Sequence, residues 1–284
     1  MNFQKTAAAI HDISGLGKCS VTAALPVLSA AGVSVGVLPT AVLSTQTGGL
    51  NNYTYRDLTD DIPAIMEHWG SIGVSFDAVY SGFLGSAKQV SLVSEFVRKF
   101  RKPDAVYLCD PAMADNGRLY DTFNADFVEE MKKLCSLADI IVPNFTEAAM
   151  LLGEEYISPP YTESYVLSLV ERLSSRFGVR YVVLTGVQFD SDKIGAVAYD
   201  SEKNELSYSV RDRVDGMFHS TGDLFASSLL GAILNGYSIS DAAEIAIEFT
   251  VSAINKTVAL GGDSRFGLSF ELCLPDYMRS LGVL

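Results

Sequence analysis

Three stretches carry residues that could do chemistry. The first is Val214 to Leu229, where a polar turn ends in Thr221-Gly222-Asp223 and runs straight into an apolar helix, Leu224 to Leu234. A glycine beside a helix N-terminus lets backbone N–H groups approach an anion closely. A carboxylate there can take a proton from an attacking hydroxyl. Ordinary capping, with Thr221 or Asp223 as N-cap, is the simpler use of the same residues. The second and third stretches end predicted strands: Asp110-Pro111 after Ala105–Cys109, and Pro143-Asn144 followed by Glu147 after Asp139–Val142. Two carboxylates at neighbouring strand ends suit magnesium, directly or through water. Singly, each is an acid near a helix start, and Glu147 stands three residues after Asn144 in a capping-box pattern. Taken with the Thr-Gly-Asp start, the pair suggests phosphoryl transfer. That chemistry needs metal-neutralised phosphates, an anion cradle, and a base for the acceptor hydroxyl.

The elements that would position these residues alternate. Strands are expected at Thr6–Ile10, Val33–Leu38, Ala78–Tyr80, Ala105–Cys109, Asp139–Val142 and Tyr181–Leu184. Between them fall a turn at His11–Lys18, a helix from Cys19 to Ala31 stopped by Gly32, and an irregular stretch after Pro39 through Asn52. Further helices are expected from Asp60 or Asp61 to Trp69, from Ser86 to Arg101, from Asn124 to Ser136, and from starts at Thr146 and Thr162. Ile194–Tyr199 and Leu206–Val210 alternate around a polar turn and read as an edge hairpin. A helix near Ser240–Thr257 follows. Short, apolar, β-branched strands alternating with helices imply an α/β fold with a mostly parallel sheet covered on both faces. Ligands in such folds sit beyond the C-terminal strand ends, where Asp110-Pro111, Pro143-Asn144 and Thr185-Gly186 fall. No repeat or low-complexity linker divides the chain, so one domain, 1–284, is expected.

Other motifs fail on context. Gly15-Leu16-Gly17-Lys18-Cys19-Ser20 sits where a dinucleotide fingerprint would, but its third glycine is Ser20 and no acid occurs between Asp12 and Asp57. As a Walker A loop it lacks the leading glycine (Asp12) and the magnesium-binding hydroxyl (Cys19). Gly32-Val33-Ser34-Val35-Gly36 matches a nucleophile elbow but lies at a helix-to-strand turn. With three histidines in the chain, His11, His68 and His219, a serine triad has no supported member.

The net charge of −13 argues against nonspecific binding to nucleic acid or anionic membranes. No stretch of about 18 uninterrupted apolar residues suggests a membrane span, and the first residues do not resemble a signal peptide. Cys19, Cys109, Cys135 and Cys273 lack metal or disulfide spacing and read as buried free thiols of a cytoplasmic protein.

Four segments, in order along most of the chain, resemble the pyridoxal (vitamin B6) kinases of the ribokinase-like superfamily. Ser81-Gly82-Phe83-Leu84-Gly85-Ser86-Ala87 resembles that family's S/T-G-Y-L-G-S segment. Cys109-Asp110-Pro111-Ala112-Met113 resembles its C-D-P-V-M. Pro143-Asn144-Phe145-Thr146-Glu147-Ala148 resembles P-N-x-x-E, and Val214 to Ala226 resembles V-D-x-x-F-x-G-T-G-D-L-F-A. The resemblance implies a three-layer sandwich without a separate β-lid, since little room for lid strands lies between Val42 and Asp60. It implies Asp223 as the base for a substrate hydroxymethyl group, with Ser220, Thr221 and Gly222 in the anion hole. It places Asp110 and Glu147 around Mg2+, and Tyr120, Asn144, Thr185 and Gly186 against ATP. Asp12, Ser14, Thr47 and Phe83 fall where the family holds the pyridine ring. It also implies a homodimer and a monovalent cation such as K+.

The departures concern the substrate more than the chemistry. Ser220 replaces the first glycine of G-T-G-D, Phe83 replaces a tyrosine, and Gln46 stands where a histidine is common. Asp12 stands where many members carry serine. The first loop is short, as in the hydroxymethylpyrimidine kinases, so that activity, alone or alongside the first, is the alternative expectation. A binding module or regulator that has lost turnover is a third, but it would not need Asp110, Glu147 and Asp223 together.

Overall fold

The computed structural model describes residues 4–284. Its strands are β1 (Thr6–Ser14), β2 (Ser34–Leu43), β3 (Tyr55–Asp57), β4 (Phe76–Ser81), β5 (Arg101–Cys109), β6 (Ala114–Asp115), β7 (Arg118–Leu119), β8 (Ile140–Ile141), β9 (Tyr181–Val187), β10 (Lys193–Asp200) and β11 (Glu205–Asp212). The helices are α1 (Val21–Ala30), α2 (Ile62–Ser71), α3 (Ala87–Phe100), α4 (Ala125–Cys135), α5 (Phe145–Leu152), α6 (Glu163–Phe177), α7 (Thr221–Leu234), α8 (Ile239–Ala259) and α9 (Leu274–Ser280).

All strands except the small β6–β7 hairpin join one sheet in the order β11-β10-β9-β8-β5-β4-β1-β2-β3. From β2 across to β9 every pairing is parallel. Only β3 and the β10–β11 hairpin run antiparallel, at the two edges. Ala7 to Ile10 are wholly buried because helices cover both faces. Helices α2 to α6 pack one face around Ile62, Phe96, Phe100, Met131 and Leu169. Helices α1, α7, α8 and α9 pack the other around Val27, Leu28, Leu229, Ala246 and Tyr277. This is the expected three-layer α/β sandwich. No described helix is long and apolar enough to cross a membrane.

The differences from expectation fall around the site. Strand β1 continues to Ser14, so His11, Asp12 and Ser14 lie on a strand rather than in a turn. Strand β2 runs through Pro39 to Leu43 instead of stopping at Leu38. Its outer edge meets β3 only at Ala41–Leu43, so Pro39 interrupts no hydrogen bond on that side. Just past Pro39, β2 gains one residue on β1, the register moving from His11–Pro39 to Ile13–Val42. Such bulges re-aim side chains, and Asp12 stands at this one. Helix α1 starts at Val21, which leaves Cys19 and Ser20 in the preceding turn. Helix α5 begins one residue early, at Phe145. Helix α7 starts at Thr221, so Thr-Gly-Asp forms its first turn. The strand β3 and the β6–β7 hairpin are too short to register as periodic patterns. Between Leu43 and Asp60 the three-residue β3 is the only regular element, and it forms no separate lid.

Candidate active site

Asp223 stands in the first turn of α7. The residue before that helix, Ser220, takes the left-handed conformation (φ 66°, ψ 16°), and no side chain caps the helix start. Thr221 and Asp223 are therefore not N-caps, which corrects the simpler expectation. The first N–H groups of a helix lack intrahelical acceptors, and here they open, without a side-chain cap, onto a segment where Gly222 is exposed. The Asp223 carboxylate turns to a different element: its Oδ2 accepts the Ser20 N–H at 2.9 Å and faces Cys19 Sγ at 3.3 Å. Burial raises the Asp223 pKa, and these two donors hold it down.

Asp110 follows β5 directly. Its Oδ2 lies 4.0 Å from where a Cβ on Gly222 would stand, so it faces the start of α7. Burial, then the charges of Glu147 and Asp223, push its pKa well above the usual carboxylate range. Glu147 belongs to a complete capping box. Asn144 Oδ1 accepts the Glu147 N–H at 2.9 Å, and Glu147 Oε2 accepts the Asn144 N–H at 2.9 Å. Its Oε1 takes the Met113 N–H at 3.1 Å, which ties the segment after Asp110 to α5. Burial pushes Glu147 up to about 8 against these N–H groups. The capping role read from its spacing and a place beside Asp110 hold together.

Asn144 also donates from Nδ2 to the Ala114 carbonyl at 2.8 Å, so its side chain is largely committed to local structure. Asn144 and Thr185 form a parallel bridge at the ends of β8 and β9, and Thr185 Oγ1 lies 3.4 Å from the Pro143 carbonyl. Gly186 follows with φ 75°. Tyr120 is 40% exposed, and burial of its covered part, then the Glu147 and Asp110 charges, push its phenol upward. Parallel strands thus bring Asp110, Asn144, Thr185 and Gly186 to one edge of the sheet, with Asp223 alongside.

The residues expected to hold the substrate ring lie near the end of β1 and on the segments that follow β2 and β4. Asp12 and Ser14 are buried near the end of β1. Burial raises Asp12 to about 6, and the nearby Asp223 charge adds to that. Phe83 is half-buried, its ring 5.4 Å from Phe123. A Cβ on Gly82 would fall 2.5 Å from His11, so this segment lies directly against a buried imidazole. Thr47 is exposed on the irregular loop after β2. The neighbouring Gln46 is buried, and its amide donates to the Arg265 carbonyl. A Cβ on Gly48 would meet His219 at 2.5 Å, so the half-buried His219, in the turn before α7, packs against the Thr47 loop.

Cys19 and Ser20 are the residues sequence reasoning missed. All four cysteines are free and three are buried as expected, but Cys19 is only half-buried and lines the site. The signal was available: their glycine-containing turn follows a strand and opens a helix, at the edge where ligands bind. Among the described residues no group of three or more His, Cys, Asp or Glu is arranged to hold a metal alone.

The chain resembles known proteins across this whole framework. A Bacteroides thetaiotaomicron protein, named as a candidate phosphomethylpyrimidine kinase and crystallised in one form with pyridoxal, superposes with a TM-score of 0.92 at 36% identity over 97% of this chain and 96% of that one. The Lactobacillus plantarum pyridoxal kinase superposes at 0.89 with 29% identity, over 97% of each chain. The Dictyostelium discoideum pyridoxal kinase is 29% identical over 196 residues, 64% of this chain and 63% of that protein. The match thus spans just under two thirds of that relative's length. The sheet order and two helical layers are those of the ribokinase-like fold. Residues 20–266, a span that includes Asp110, Glu147 and Asp223, match the phosphomethylpyrimidine kinase family, and the chain belongs to that family.

Proposed function

We propose that this protein is an ATP-dependent kinase that phosphorylates the 5′-hydroxymethyl group of a vitamin B6 vitamer. The observation that carries the reading is the uncapped α7 start, with the Asp223 carboxylate in its first turn and Asp110 facing Gly222. An acceptor hydroxyl placed there gives its proton to Asp223. Its oxygen attacks the γ-phosphorus of ATP, the bond to the β–γ bridging oxygen breaks, and ADP leaves. The N–H groups at Thr221, Gly222 and Asp223 receive the transferring oxygens, with Ser220 setting the turn.

The charges of Glu147 and Asp223 both bear on Asp110, and no basic side chain is among the causes of the shifts of these three acids. That donor set fits a divalent cation held by one or two carboxylates with phosphate oxygens and water. Mg2+ bound there would neutralise the charge of the phosphates. Asp110 is the residue free to approach it, while Glu147 orients the segment after Asp110. Tyr120, Asn144, Thr185 and Gly186 line the nucleotide side. Asp12, Ser14, Thr47 and Phe83 line the vitamer side, where a flat ring could lie against Phe83. We read the chain as one kinase domain, acting as a cytoplasmic homodimer and assisted by K+.

Hydroxymethylpyrimidine is a second acceptor, favoured by the family match and by the name of the Bacteroides protein. An ADP-release assay over pyridoxal, pyridoxine, pyridoxamine, hydroxymethylpyrimidine and a pentose separates the readings. Highest kcat/KM on a B6 vitamer supports the first. Highest kcat/KM on hydroxymethylpyrimidine replaces it with the second, and no turnover on any acceptor removes both.

A further inference from the structure

The turn between β1 and α1 carries a strained residue that the kinase reading leaves unused. Ser20 has φ 53° and ψ −125°, a combination that a residue with a Cβ rarely adopts. It is 4% exposed, so the surrounding structure holds it there. That backbone aims the Ser20 N–H at Asp223 Oδ2, 2.9 Å away. Cys19 Sγ approaches the same oxygen at 3.3 Å, and the Ser20 hydroxyl lies 3.8 Å from Cys19 Sγ. The turn is itself pinned. The Cys19 N–H donates to Thr22 Oγ1 at 3.0 Å, the Thr22 hydroxyl reaches the Cys19 carbonyl at 2.7 Å, and Ile13 bridges to Ser20. Burial and the Asp223 charge push the Cys19 thiol upward, so it stays neutral and can donate.

Both bonds fall on Oδ2. The terminal torsion of an aspartate is broad and roughly two-fold, so an unrestrained carboxylate would sweep both oxygens through the site. Anchoring one oxygen fixes the direction of the other.

We propose that Cys19 and Ser20 are positioning residues for Asp223, two donors from the β1–α1 turn that clamp Oδ2 so that Oδ1 is presented to the acceptor hydroxyl. The inference rests on the reading of Asp223 as the base. The strain at Ser20 is the conformational cost of aiming a backbone N–H at that oxygen. The thiol supplies a second, weaker donor. A base misplaced by a fraction of an ångström loses rate without losing substrate affinity.

The test is a mutant cycle assayed with pyridoxal and ATP, in single turnover where activity is low. Cys19→Ala should lower kcat by about tenfold, the equivalent of about 1.4 kcal/mol, with KM for both substrates within about twofold. Cys19→Ser, which keeps a donor, should recover to within about threefold of the starting kcat. In an Asp223→Asn background Cys19→Ala should cost nothing further, because residues acting as a unit are not additive. An unchanged kcat in Cys19→Ala, no recovery in Cys19→Ser, or the same fractional loss in the Asp223→Asn background would each overturn the proposal. Should Cys19→Ala fail to fold, Cys19→Val against Cys19→Ser reads the same contrast. Near-normal activity of Asp223→Asn by itself would instead remove the reading of Asp223 as base, so the two failures are told apart by one variant.

Discussion

The Asp110 carboxylate stands 4.0 Å from the point a Cβ would occupy on Gly222, and no other heavy atom beyond its chain neighbours and its own helix comes as near. A methyl group there meets only ordinary van der Waals contact, and alanine is a better helix former than glycine in the first turn of α7. It would nevertheless project into the gap between Asp110 and the open N–H groups. Gly222→Ala is therefore expected to fold with an unchanged or slightly raised Tm while kcat falls by at least about tenfold. Activity within twofold of the parent, measured by ADP release, would show that the transferring group does not occupy that gap.

Ser220 makes the opposite trade. It holds a left-handed conformation with φ 66°, and its hydroxyl is buried without a partner. A side chain in that conformation costs roughly 1–2 kcal/mol, offset in a glycine by about 0.5–1 kcal/mol of extra chain entropy on folding. Ser220→Gly should raise the urea midpoint by the equivalent of about 1 kcal/mol with the denaturant slope unchanged. A lower midpoint would mean that the hydroxyl has a partner after all.

Much of this site could be read from residue types at strand ends. The parallel order follows from apolar strands alternating with helices, and Asp110 and Glu147 stand where that order predicts, while Asp223 is read from the Thr-Gly-Asp helix start. The legible part ends where long-range contacts decide. Asp12 reads as part of a turn because His11 and Asp12 end an apolar run, yet a sheet buried on both faces extends β1 through it. Pro39 reads as the end of β2, but at that residue β2 is paired only with β1, so the missing N–H breaks nothing on the other side. Cys19 and Ser20 meet Asp223 across more than two hundred residues, and no local pattern encodes that meeting. Capping went the other way. Asn144 and Glu147 form the box their spacing announces, whereas Thr221 and Asp223 cap nothing, because the Asp223 carboxylate has donors elsewhere.

Glu147 and Asp110 should separate when each is made neutral. Glu147 uses Oε1 for Met113 and Oε2 for Asn144, and both are backbone donors. An amide offers only one acceptor oxygen, so above about pH 8, where Glu147 is ionised, Glu147→Gln leaves a buried N–H facing an NH2, at about 1–3 kcal/mol. A fall of several degrees in Tm is expected even in chelator without nucleotide. Asp110→Asn relieves repulsion from Glu147 and Asp223 instead, and should leave Tm equal or higher while abolishing most activity. Equal Tm losses in the two variants would contradict this division.

Asp12 gives a pH dependence whose sign is fixed by the direction of its shift. Burial, with the Asp223 charge added, raises its pKa from the ordinary 3.8 to about 6 in the folded protein. The unfolded chain then loses this proton first, so between about pH 4 and pH 6 stability falls as pH rises. Above that window the full cost persists, up to about 3 kcal/mol for a shift of this size. Asp12→Asn has no proton to lose. Its urea midpoint should equal the parent's below pH 4, rise above it through the window, and stay above it at pH 7–8. Because Asp12 is also read as a vitamer contact, the same variant should show a raised KM for the vitamer with KM for ATP unchanged, a gain in stability at the expense of binding. Midpoint curves that run parallel from pH 4 to 8 would mean that Asp12 is not desolvated in the folded state, and would take away the reason to see it as a buried acid facing the base.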